Sequence, residues 1–167
     1  MRFDAGLRTA EDRPWIWRLH RHGRSFVVPS GTPGHFYRRE VSSSLTIVLD
    51  ERQLDFTLAF GTVISELQAD GEPAALVDKA VRTTCVVVAH HLARSDGMDA
   101  RVRAQLVGRS SALLRHVPEP TLHGVLAALD STRRLQLVPL LDGRTAGSER
   151  ASALRARRSE EVLRGAR

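Results

Sequence analysis

Five apolar residues, Val77, Val81, Cys85, Val88 and Leu92, recur at i, i+4, i+8, i+11 and i+15 between Pro73 and Arg94. That is the period of one helix face, and it obliges the chain to supply a second apolar surface that covers it. The Val-rich centre, Thr83–Ala89, also has the β-branched density of a strand, so this piece reads either way. Ser95-Asp96-Gly97 ends the run. Val102, Leu106, Leu113 and Val117 predict a further helix from Asp99 to His116. Leu122, Leu126 and Leu129 predict another after Pro118 and Pro120, and Leu135–Leu141 one more before Asp142-Gly143.

The N-terminal part has a different rhythm. Trp15-Ile16-Trp17-Arg18-Leu19-His20 alternates, as a half-buried strand does. Gly23 offers a tight turn, Ser25–Val28 a returning strand stopped by Pro29, and Phe36–Val41 a short strand after the Ser30–Gly34 loop. Leu45–Leu49 and Leu54–Phe60 read as a second hairpin across Asp50–Gln53. Leu54, Leu58, Ile64 and Leu67 also suit a helix, whereas Gly61 and the β-branched residues favour strand. Val63–Ala69 is a short helix ended by Asp70-Gly71 and Pro73. Strands first and helices second predict an α+β fold. N-terminal antiparallel β-hairpins (about 15–60) pack on a C-terminal set of three to four helices (about 73–141). Residues 1–142 form one domain, and 143–167 a basic tail, partly helical or disordered, with only Leu154, Val162 and Leu163 as sizeable apolar groups.

The net charge of +6 is unevenly spread. Residues 1–39 carry +5, residues 40–142 carry −3 and residues 143–167 carry +4. A mildly acidic body between two basic ends fits contact with an anionic partner. All but one of the 25 basic residues are Arg, a ratio that GC-rich coding alone also produces.

Between Arg13 and Arg39 stand six arginines, three histidines and five of the eight aromatics, with no Asp or Glu. Guanidinium groups bind phosphates and rings stack on unpaired bases, so this stretch is the candidate nucleic-acid or anion-binding surface. Strand alternation places Arg18 with His20, and the turn brings Arg21, His22 and Arg24 close. Tyr37, Arg38 and Arg39 join them from the next strand. Trp15, Trp17 and Phe26 serve equally well as packing between sheet and helices.

Specific chemistry is not written in the chain. His20 and His22 with His35 lack a carboxylate or cysteine to complete a metal site, so no metal and no cofactor are expected. His90, His91 and His116 sit where a helix C-terminus favours cations. Ser42–Ser44 and Ser110-Ser111 stand in no nucleophile motif, and Gly31-Thr32-Pro33-Gly34 lacks the spacing of a phosphate loop. The single Cys85 excludes an internal disulfide and reads as a buried thiol, consistent with a reducing cytosol. No stretch approaches 18 apolar residues, and the first fifteen residues have no hydrophobic signal core, so a cytoplasmic protein without a membrane span is expected.

Val125–Leu135 together with Leu140-Leu141-Asp142-Gly143 resembles the opening helices of ArsR-type winged-helix regulators over about 19 residues. Arg155 occupies the place of that family's turn glycine and no wing strands follow. The resemblance therefore implies a helical hairpin with a basic tail, and no DNA-reading or metal-sensing residue.

These features favour a non-enzymatic, cytosolic binding or regulatory protein that contacts nucleic acid or another polyanion through Arg18, Arg21, Arg24, Tyr37, Arg38 and Arg39. The alternatives are an assembly component docking on another protein, as a homo-oligomer or with a different partner, and a small enzyme whose site has no sequence signature.

Overall fold

The computed structural model describes residues 4–23, 25 and 48–141. Six α-helices occur among them: α1 (Asp12–His22), α2 (Asp55–Ala69), α3 (Ala74–Ala93), α4 (Ala100–Arg115), α5 (Glu119–Ala127) and α6 (Ser131–Leu141). Single 3-10 turns at Glu51–Leu54 and Ser95–Gly97 lead into α2 and out of α3. Of the described residues 77% are helical and none is in a strand, which overturns the α+β expectation of N-terminal hairpins packed on helices.

The central helix is α3, which packs against α2, α4, α5 and α6. Its stripe of Val81, Cys85, Val88 and Leu92 is buried, and Val77 packs at the edge of the core. The possible strand at Thr83–Ala89 is therefore helix. Its β-branched side chains are tolerated because burial, at about 1.5–3 kcal/mol for each large apolar side chain, outweighs the few tenths lost in helix propensity. Phe56, Phe60, Val63, Ile64 and Leu67 supply the facing surface from α2. Leu106 and Leu114 come from α4, and Leu137 and Leu140 from α6.

Residues 54–60 are thus not a returning strand. Asp50 accepts a hydrogen bond from the amide of Arg52 at 2.9 Å, and the 3-10 turn passes directly into α2. Gly61 does not break this helix: it faces α4, where a Cβ would meet Leu113 Cδ1 at 3.6 Å in ordinary van der Waals contact. The helix stops where Gly71 adopts φ +63°, a conformation that other residues take only with strain.

The first expected strand, Trp15–His20, is also helical. Pro14, Trp17, Arg18 and Arg21 share one face of α1 at spacings of three and four. Pro14 is buried, Trp17 packs on the core, and the two arginines reach carboxylates of α2 and the turn beyond it. Two of the inward residues are cations, so an apolar pattern could not find this face. The other expected strands, at 26–28, 36–41 and 45–47, and the tail from 143, lie outside the described residues.

Candidate functional site

Of the six proposed anion-binding residues, Arg18 and Arg21 are described, both on α1. Arg24, Tyr37, Arg38 and Arg39 lie outside the described residues. Arg18 and Arg21 are only 4.5 Å apart along the helix axis by the usual rise of about 1.5 Å per residue, on a shared face. Neither presents an open guanidinium. Arg18 Nε donates to both carboxylate oxygens of Glu66, at 3.0 and 3.1 Å, and its Nη1 reaches Asp4 at 3.1 Å. Arg21 is held by three acids: Nε to Glu72 at 2.9 Å, Nη1 to Glu66 at 3.5 Å, and Nη2 to Asp70. Its side chain is only 3% exposed.

A third arginine extends the same seam. Arg8 gives its backbone amide to Asp55 at 2.7 Å and its guanidinium to Asp55 at 3.1 and 3.2 Å. Glu51 lies between Arg8 and Arg101, 3.4 Å from each. The charge states follow from this geometry. Hydrogen bonding to Glu66 raises the Arg18 pKa, against the opposing effect of burial, and Asp4 adds to the rise. Hydrogen bonding to Glu72 does the same for Arg21, with Asp70. Burial works to raise the Asp55 carboxyl, but the side-chain and backbone hydrogen bonds from Arg8 together outweigh it and hold the group below its ordinary value. Chemically this seam is a set of satisfied ion pairs that clamps α1 along α2. It leaves little of either guanidinium to meet a phosphate.

The pairings run along both helices in the same direction. Arg8 sits at the start of α2, Arg18 beside Glu66 near its end, and Arg21 by Asp70 and Glu72 just beyond. No sequence signal reports this, because every named partner but Asp4 is separated from its arginine by 43 to 51 residues.

The histidines divide differently from expectation. His20 and His22 stand two apart on α1, so their side chains leave the helix about 200° apart and do not converge. His35 is outside the described residues. No group of three or more His, Cys, Asp or Glu able to hold a metal ion occurs among the described residues. His91, read as a cation at a helix end, is instead buried and stacked on Phe56, with ring centroids 4.4 Å apart and planes within 3°. Burial pushes its pKa down to about 4, with His90 and Arg94 adding to the fall, so the ring is neutral near pH 7. Only His90 remains exposed there, its Nε2 3.5 Å from the Arg94 guanidinium.

Nucleophiles fare no better. Cys85 is fully buried and its thiol is pushed up to about 12 by burial. Ser111 Oγ donates to the carbonyl of Leu140 at 2.5 Å, tying α4 to the end of α6, while Ser110 is buried without a partner.

One quantity does bear on partners. The described residues contain fourteen Lys and Arg and fourteen Asp and Glu. The whole chain contains 25 and 19, so the entire excess of +6 belongs to the other residues, among them Arg24, Arg38 and Arg39. No helix among the described residues is long and apolar enough to cross a membrane. No protein-family model matches this chain, and neither a curated protein nor a solved structure shows significant similarity to it.

Proposed function

We propose that this is a non-enzymatic binding protein whose two basic stretches, residues 1–39 and 143–167, hold a nucleic acid. The observation that carries the reading is the charge pattern of the sequence: residues 1–39 carry +5 and 143–167 carry +4, about a stretch, 40–142, that carries −3. Arg24, Arg38 and Arg39 supply the guanidiniums, and Tyr37 a ring on which a base can stack. Arg18 and Arg21 are given a different role from the other four, because α2 and the turn after it already occupy them. Contact mainly to phosphates makes the binding weakly selective for sequence and places the protein among accessory or regulatory binders. The single, buried Cys85 favours a reducing, cytoplasmic setting.

The test is binding of a fluorescein-labelled oligodeoxythymidylate to the full chain and to the variant Arg24→Gln/Arg38→Gln/Arg39→Gln. The reading expects the variant to bind at least tenfold more weakly at about 50 mM salt. Equal binding by the two proteins, or none by either, removes it.

A second reading is favoured by one observation. The described residues of 4–72 hold five basic and nine acidic groups, and those of 73–141 hold nine and five. Leu135 and Val138, three residues apart on α6, are 53% and 40% exposed. Opposite net charges on these two stretches of the described residues and an exposed apolar pair on α6 would support self-assembly. Light scattering that gives one monomer mass across a hundredfold range of concentration rules this out.

A further inference from the structure

We infer that the outer face of α4 is a seat for the phosphate backbone of a nucleic acid. The inference rests on the nucleic-acid reading above and adds a surface within the described body.

The sequence from Ala100 to Pro118 contains no Asp or Glu. Every exposed residue of α4 is Ala, Gly or Arg, and the helix is followed by the exposed His116. At about 100° per residue, Arg101, Gly108, Arg109, Ala112, Arg115 and His116 fall within about 120° of arc, and the first and last arginines are about 21 Å apart along the axis. Among the described residues Arg109 and Arg115 make no ion pair, and Arg101 is only loosely joined to Glu51 at 3.4 Å with most of its side chain exposed. The fourth arginine of the helix, Arg103, is not part of this face: it caps the carbonyls of Ser95, Asp96 and Met98 at 3.0, 3.2 and 3.2 Å.

This face contrasts with the seam between α1 and α2, where each guanidinium meets a carboxylate. It also contrasts with the outer side of α3, where Lys79 and Arg82 share the surface with Asp78. On α4 the cations flank small side chains, and a Cβ added at Gly108 meets nothing within 4 Å. An anionic chain can therefore approach the helix closely, with arginines on either side to meet successive phosphates. Apart from the imidazole of His116 no ring is exposed on this face, so it reads mainly phosphate rather than base. Charge complementarity selects the partner: a cationic strip that Glu51 touches only at its Arg101 end binds a polyanion and offers an uncharged or cationic partner little.

The test compares four full-length proteins for binding to a fluorescein-labelled oligodeoxythymidylate between about 50 and 200 mM salt: the wild type, Arg109→Gln/Arg115→Gln, Gly108→Glu, and Lys79→Gln/Arg82→Gln. The α4 double variant should bind about tenfold more weakly, and its slope of log K against log salt should be shallower by about 1.4, two phosphate contacts at about 0.7 each. Gly108→Glu should weaken binding similarly while melting no lower than wild type, since it replaces a poor helix former in open space. The Lys79/Arg82 variant should keep wild-type affinity to within about twofold. Wild-type binding that the α4 variants leave intact, or that the Lys79/Arg82 variant weakens equally, overturns the α4 seat and leaves the broader reading standing. Failure of the wild type to bind at all overturns the broader reading itself.

Discussion

The guanidinium of Arg18 lies side-on to Glu66, its Nε 3.0 and 3.1 Å from the two carboxylate oxygens and its Nη2 2.5 Å from one of them. This contact joins the first helix to the second across 48 residues of chain. With Arg21 and Arg8 it aligns α1 along α2.

These pairs are half-buried, so they matter more than surface ion pairs. Arg18→Met is expected to cost about 1–2 kcal/mol in urea unfolding, and Arg21→Met about 2–3 kcal/mol, because three carboxylates would lose their shared cation. A double-mutant cycle of Arg18→Met with Glu66→Gln should give a coupling of about 1 kcal/mol. A coupling near zero would mean that the two side chains do not hold α1 in place.

Much of this fold was legible where large apolar side chains carry the periodicity. The stripe from Val77 to Leu92 lies along α3 because every member of it is apolar and faces inward. The N-terminal part was not legible, for two physical reasons. On α1 the inward face includes Arg18 and Arg21, whose partners Glu66, Asp70 and Glu72 are remote in sequence, so counting apolar residues left only the accidental alternation of Trp15, Trp17 and Leu19. On α2 the strand-favouring Phe56, Thr57 and Phe60, and the helix-weakening Gly61, are overruled by tertiary packing: the rings fill the core. The ion pairs of Arg18 and Arg21 were not visible in the sequence. An acid-free run is a property of neighbours in sequence, while the carboxylates that neutralise Arg18 and Arg21 arrive from elsewhere in the chain. The open face of α4 is written in the sequence too, as nineteen residues, 100–118, without an acid.

The stacked pair of His91 and Phe56 makes stability depend on pH in a defined window. In the unfolded chain the imidazole takes up its proton near 6.5, and in the folded chain only near 4. Between those values the unfolded state binds more protons, so stability falls as pH drops from about 6.5 towards 4, by about 3 kcal/mol in all, and is unaffected by this group above that window. Asp50, Asp55 and Asp130, each held below the ordinary value of 3.8, add their own loss at still lower pH. Urea midpoints measured from pH 7.5 to 4.5 should decline for the wild type and stay nearly level for His91→Phe, which keeps the ring and removes the proton site. Parallel declines in the two proteins would refute the assignment.

Cys85 supplies an independent check on the core. Fully buried, with its thiol pushed up to about 12, it should resist iodoacetamide at pH 8 in the native protein and react within minutes once urea unfolds the chain. Alkylation of the native protein at the rate of a free thiol would show that α3 is not enclosed by α2, α4, α5 and α6.

The proposal that the basic stretches hold a nucleic acid is tested most directly by the salt dependence of oligonucleotide binding. For the full chain the account predicts that log K falls linearly with log salt between about 50 and 200 mM, with a slope steeper than about −2. A flat line over that range, or no complex at the lowest salt, would contradict it.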